Sequence, residues 1–169
     1  MSNLAAVNLR AELLILLGFA LQLMPSWLPA LLDTGNLGQL TQLAWLAGAL
    51  LLVAASLLNW TRWGFRLVAL GVLTNAAAIT ANGGMPVGVA ALEYLGIYEP
   101  VDQLAALTPL YHLSDGATRL PVLGDVLPVP GPAIVQSVVS IGDLFLMVGV
   151  SVLLLEMTGA VRRYSQASP

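Results

Sequence analysis

Residues 137–155 read SVVSIGDLFLMVGVSVLLL, an apolar run with one carboxylate, Asp143, inside it. Its length fits a helix crossing the hydrocarbon core of a membrane, which takes roughly 20 residues. The remaining composition agrees. The chain has 169 residues, of which 58% are hydrophobic and 9% charged. Soluble domains carry about 25% charged residues. A chain this short leaves much of its surface outside any core, so lipid is expected to solvate part of it. All basic residues are arginine, the net charge is −3 and cysteine is absent. These facts exclude a basic nucleic-acid surface, a disulfide framework and thiol chemistry.

Four spans are expected, at about 10–31, 40–60, 65–82 and 133–157. Pro25 and Pro29 are expected to bend the outer end of the first. That first run lacks a small-residue cleavage motif and is read as a retained span rather than a signal peptide. Arg10, Arg62, Arg66, Arg162 and Arg163 fall on one side of such a bundle. Asp33, Glu93, Glu99, Asp102, Asp115 and Asp125 fall on the other, with Arg119 among them. The positive-inside rule then places both termini in the cytoplasm of a plasma-membrane protein. The fold expected is an all-α integral membrane protein, a single membrane domain over 1–169. It is a four-helix transmembrane bundle with a structured extracytoplasmic cap, 83–132, between spans three and four. The cap is too apolar for a solvated linker. AALEYLGIY and PVDQLAALTPLYHL read as short helices, NGGMP as a turn and LPVLGDVLPVPGP as extended chain.

Asp143 lies about ten residues into span four, roughly 15 Å from its outer end at 1.5 Å per residue. Asn75 has a similar depth in span three, and Gln22 lies somewhat further out in span one. Gly71, Asn75, Ala78 and Asn82 share one helical stripe. Gln136, Ser140, Asp143, Met147 and Ser151 share another. Polar stripes facing lipid are costly, so both are expected to face inward, with Asn75 and Asp143 as neighbours. Their contact is either a packing bond between helices or the border of a site. His112, the only histidine, is assigned with Asp115, Arg119 and Asp125 to the polar network of the cap, where Arg119 can pair with either carboxylate. One histidine and scattered carboxylates do not make a metal set. NGGMPVG lacks the lysine of a phosphate loop. No metal is expected and no cofactor is indicated.

Taken together, GVLTNAAAITANGGMPV (71–87), YHLSDGATRLPVLGDVLPVP (111–130) and SVVSIGDLFLMVGV (137–150) resemble a family of small bacterial multi-pass membrane proteins of unknown function. The resemblance covers residues 64–155. Its most specific parts are Asn82-Gly83-Gly84-Met85-Pro86, Leu123-Gly124-Asp125 with Pro128, and Ser140-Ile141-Gly142-Asp143. It implies the architecture and no activity. More weakly, the last span is similar to that of lipoprotein signal peptidases. That likeness implies a catalytic aspartate at Asp143. The second aspartate is not in the matching place after Asn75, where Ala76, Ala77, Ala78 and Ile79 stand. Asp125 would have to complete a dyad from the cap.

Three functions follow as expectations. The first is an accessory or interaction subunit of a membrane complex, partnered by lipid and other membrane chains. The second is a protein that binds or moves a hydrophobic small molecule around Asn75 and Asp143. The third is an intramembrane aspartyl hydrolase using Asp125 and Asp143.

Overall fold

The computed structural model describes residues 11–27, 37–97 and 110–158. Arg10, Pro29, Asp33, Glu99, Asp102, Arg162 and Arg163 lie outside the described residues, as does most of the PVDQLAALTPLYHL segment. The elements in chain order are α1 (Glu12–Trp27), α2 (Leu37–Leu58), α3 (Trp63–Asn82), β1 (Met85–Val87), α4 (Val89–Tyr94), β2 (Tyr111–Leu113), a 3-10 turn (Pro121–Leu123), β3 (Leu127–Val129), β4 (Ser137–Val139) and α5 (Ile141–Met157). The protein is mostly helical. Gln39–Leu58 and Trp63–Asn82 are long and apolar enough to cross a membrane, and Glu12–Leu23 is a shorter apolar stretch.

Three long-helix contacts organise the molecule: α1 against α2, α2 against α3, and α3 against α5. The α3–α5 seam is built on glycine. An added Cβ at Gly71 would meet the Gly142 carbonyl oxygen and Leu146, and one at Gly149 would meet Val68 and the Gly64 carbonyl oxygen. Small residues let the two backbones approach closely, which dispersion then rewards. Beside the seam, Ala49, Leu52, Val68 and Val72 form a buried cluster with Leu146 and Leu153 against it.

The structure corrects three expectations. The chain is not all-α, because the cap holds two small sheets. β1 pairs in parallel with β2, Met85 opposite Tyr111, and β3 pairs antiparallel with β4, Leu127 opposite Val139. An isolated parallel bridge joins Val87 to Asp125 on the side of β1 away from β2. Tyr111–Leu113, expected as helix, is strand. Second, the last helix starts at Ile141, not near 133. Residues 133–135 make only a turn, closed by the Val135 and Gln136 N–H groups on the Pro132 carbonyl, and β-branched Val138 and Val139 are drawn into a strand by pairing with β3. Third, the packed face of α5 is not the expected polar stripe. It runs through Gly142, Leu146, Gly149 and Leu153, while Met147 and Ser151 are exposed.

At the end of α3, Gly83 takes a left-handed conformation with φ 74°, the usual way to stop a helix with glycine. Asn82 then holds the cap like a strand partner. Its amide nitrogen donates to the Arg119 carbonyl at 2.8 Å and its oxygen accepts from the Arg119 N–H at 2.7 Å. At the opposite end of α3, Glu156 of α5 accepts from the Trp63 N–H at 3.0 Å, satisfying one of the free donors of a helix start.

A carboxylate-lined cavity under the cap

Asp143 is the third residue of α5, and this position decides its role. Ser140 is the N-cap: its hydroxyl accepts from the Asp143 N–H at 3.0 Å, and Asp143 Oδ2 accepts from the Ser140 N–H at 2.9 Å. This is a capping box, with a negative charge at the positive end of the helix. Asn75 of α3 closes the ring. Its Nδ2 donates to Asp143 Oδ1 at 2.8 Å, and its Oδ1 accepts from the Ser140 hydroxyl at 2.9 Å. Both carboxylate oxygens and both amide atoms are used. Buried polar groups that satisfy one another in this way fix a single register between two helices. The sequence foresees neighbours at mid-span; the structure puts their contact at a helix start.

That start is set back along α3. Asn75 is seven residues from the end at Asn82, so the last ~10 Å of α3 has no helix α5 beside it. Cap residues take that place. Ala78 and Ile79 of α3 pack with Met85 and Leu110, against Tyr111 and Leu123.

Between the cap and α1, α2, α3 and α5 lies a cavity of about 270 Å³. Its polar lining comes from Gln22, Asn75, Tyr111, Asp125 and Asp143. Its apolar lining includes Phe19, Trp45, Ile79 and Leu146. Asp125 reaches it because β1 holds that segment in place: the Asp125 N–H donates to Pro86 O at 2.9 Å, and the Gly88 N–H donates to Asp125 O at 2.8 Å. Gly124 is required there, since a Cβ would run into the Pro86 carbonyl. The Asp125 residue is only 7% exposed, and its Oδ1 is buried without a hydrogen-bond partner among the described residues. The Gln22 Nε2 is likewise buried and unpartnered among the described residues. A second cavity of about 330 Å³ on the cap side also borders Asp125 and Tyr111, together with Gln136 and Val138. Asp125 and Tyr111 thus stand between two cavities.

Burial, and then the charge of Asp143, pushes the Asp125 carboxyl up to about 7. Burial, then the charges of Asp125 and Asp143, pushes the Tyr111 hydroxyl up to about 12. The sign for stability follows. Between the ordinary carboxyl value of 3.8 and about 7, the folded protein holds a proton that the unfolded chain has lost. Stability from this group therefore falls as pH rises through that window. Asp125→Asn removes the slope. Its gain in thermal stability over the wild type should be larger at pH 8 than at pH 5 by about 2–3 kcal/mol. Melting curves of both proteins at the two pH values check this.

The other residues singled out in the sequence are dispersed. Gln136 is not on α5; its Nε2 donates to the Leu95 carbonyl at 2.6 Å and faces the second cavity. His112 sits opposite Pro86 in the β1–β2 pair. Asp115 does not take up an ion pair with Arg119. It accepts from the Ala117 N–H at 2.9 Å and from the Thr118 hydroxyl at 3.2 Å, bonds that hold its carboxyl below the usual range. Among the described residues no group of three or more metal-ligating side chains gathers. Tyr111, Trp45 and Phe19 escape a sequence reading as cavity residues. Aromatic side chains on apolar helices and short strands carry no signal that separates core from cavity wall.

The class defined by these features is a helical protein with two helices able to cross a membrane and a strand-containing cap over a carboxylate-bearing cavity. The chain belongs to DUF5317, a family of unknown function, whose profile matches residues 6–155. This agrees with the family resemblance seen in residues 64–155 and extends it towards the N-terminus. No curated protein and no solved structure matches the chain.

Proposed function

We propose that this is an integral membrane protein that binds a hydrophobic small molecule in the cavity between the cap and the helices. In this reading α1, α2, α3 and α5 are the four spans, both termini are cytoplasmic, and residues 1–169 form one membrane domain. Apolar side chains exposed along the helices, Leu16, Leu43, Leu50, Leu73 and Leu154 among them, then face lipid. Arg66 stacks on Trp63, 4.3 Å from its ring centroid, and fits an interfacial anchor. The cap enters the outer third of the bilayer beside α3. Irregular backbone at that depth is tolerated where protein or a wet cavity covers it.

The observation that carries the reading is the unpartnered, buried Asp125 carboxylate facing a cavity otherwise lined largely by hydrocarbon and aromatic rings. Few convergent polar groups in an apolar pocket are the usual signature of a small-molecule site. Asp143 and Asn75 support that site by fixing α5 against α3. An aspartyl dyad would need a free Asp143 oxygen, and both are engaged. An accessory-subunit role draws on exposed apolar faces, which lipid covers equally well. Native mass spectrometry of protein released from mild detergent should show a retained small molecule, diminished in Asp125→Asn. Wild-type protein carrying none, from any detergent tried, would sink the reading.

A further inference from the structure

The cavity has a chemical bias that goes beyond being apolar with a few polar groups. Two carboxylates, Asp125 and Asp143, line it, and no cationic side chain does among the described residues. Three aromatic residues, Phe19, Trp45 and Tyr111, line it as well. Asp143 has internal donors for both oxygens; Asp125 Oδ1 has none. A buried carboxylate with no partner is costly, so it either stays protonated or takes a positive partner. Gln22 cannot be that partner from its own position, since its Nε2 is also unpartnered.

Resting on the reading of this cavity as a binding site, we propose that its ligand is an organic ammonium ion, held by the Asp125 carboxylate among the rings of Phe19, Trp45 and Tyr111.

The chemistry favours this over an inorganic cation. Calcium and magnesium take about six oxygen ligands at short range, whereas the side chains here offer Asp125, the Tyr111 hydroxyl and the Gln22 amide, the oxygens of Asn75 and Asp143 being already bonded. A weakly hydrated ammonium is attracted by aromatic rings as well as by carboxylate. The volume of about 270 Å³ lies near the small end of ligand pockets, which suits a compact amine with one ring or a short chain rather than a whole lipid.

The site also couples binding to a proton. With its carboxyl raised towards neutrality, Asp125 is partly protonated before the ligand arrives. The ammonium enters, the Asp125 carboxyl proton leaves to water or buffer, and the charge of the cavity is conserved without any bond to carbon changing. Among the described residues the titratable groups sharing the two cavities with Asp125 are Tyr111 on β2 and Asp143 on α5. From α1 and α3 the facing polar groups are the neutral Gln22 and Asn75. Tyr111 stays neutral throughout the working range, which leaves Asp125 as the proton donor. Its position against the second cavity gives the proton a way out on the cap side.

The test is calorimetric titration of the full chain in detergent with benzyltrimethylammonium and with its neutral carbon isostere, neopentylbenzene. The cation should bind about tenfold or more tightly than the isostere. Its affinity should rise from pH 5 to pH 8. Titrations in buffers of different ionisation enthalpy should show proton release at pH 7. Asp125→Asn should weaken the cation by about tenfold and leave the isostere unchanged. Wild-type protein across pH gives the same answer without a variant, should Asp125→Asn fail to fold. Equal affinity for the two probes, or cation binding indifferent to pH, overturns the ammonium and leaves a neutral apolar site standing. Neither probe binding also overturns it, and the native mass spectrum then decides separately whether the cavity holds any molecule.

Discussion

Gly142→Ala should destabilise the protein by about 3 kcal/mol, among the largest effects of any single methyl group in the chain. The added Cβ would fall on the side chain of Asn75, with Thr74 Oγ1 also 2.7 Å away. Asn75 cannot retreat, because its amide is bonded to Asp143 and Ser140 at once. The seam must open or the ring of hydrogen bonds must break. An opened seam also loses the close approach of Gly71 to the Gly142 carbonyl. Thermal unfolding in detergent measures the loss. Gly116→Ala is the control: nothing lies within 4 Å of the position of its Cβ, and its effect should stay within about 0.5 kcal/mol. Equal melting points for the two variants would show that the α3–α5 seam is not packed this tightly.

The second large effect belongs to Asp143→Ala. It removes the capping box at the start of α5, worth about 1 kcal/mol by itself. It also strands the Asn75 amide donor and the Ser140 N–H, and each buried donor left unmatched costs a further 1–3 kcal/mol or so. The sum should be at least about 3 kcal/mol. Asn75→Ala also strands two groups, Asp143 Oδ1 and the Ser140 hydroxyl, but it leaves the capping box intact and should cost less. The double variant should cost less than the two singles added, by about 1–2 kcal/mol, since the residues share one network. Additive losses would mean that Asn75 and Asp143 do not act on one another.

These two expectations separate Asp143 from Asp125. Asp143 has every acceptor committed to holding the architecture, so its loss should be read in stability. Asp125 has an acceptor in reserve, so its loss should be read in ligand and proton binding, with stability rising at alkaline pH. The sequence does not make this separation: it offers Asp125 both as a partner of Arg119 in the cap and as the second carboxylate of a dyad with Asp143.

Sequence alone determines a good deal here. Apolar runs of helical length around residues 40–60 and 65–82, too long for ordinary strands, read as helices, and both are helices. The spacing of Gly71, Asn75 and Ala78 at i, i+4 and i+7 puts them on one face whatever surrounds it, and all three are buried. Gly83 marks the end of α3 because only glycine takes its backbone angles without strain. What sequence leaves open is where an apolar run stops being helix. In residues 133–157 the hydropathy is continuous, but the conformation changes at Ser140. The strand before it exists only because β3 supplies its partner; the box after it is a local Ser-x-x-Asp signal that the sequence does carry, hidden by the unbroken hydropathy around it. Asp125 shows the same limit more sharply. In sequence it is one acidic residue in a proline-rich turn. Only tertiary pairing with β1, 38 residues earlier in the register Val87–Asp125, carries it under the cap beside Asp143. Contacts between residues so far apart depend on how the elements assemble, and local periodicity does not encode that.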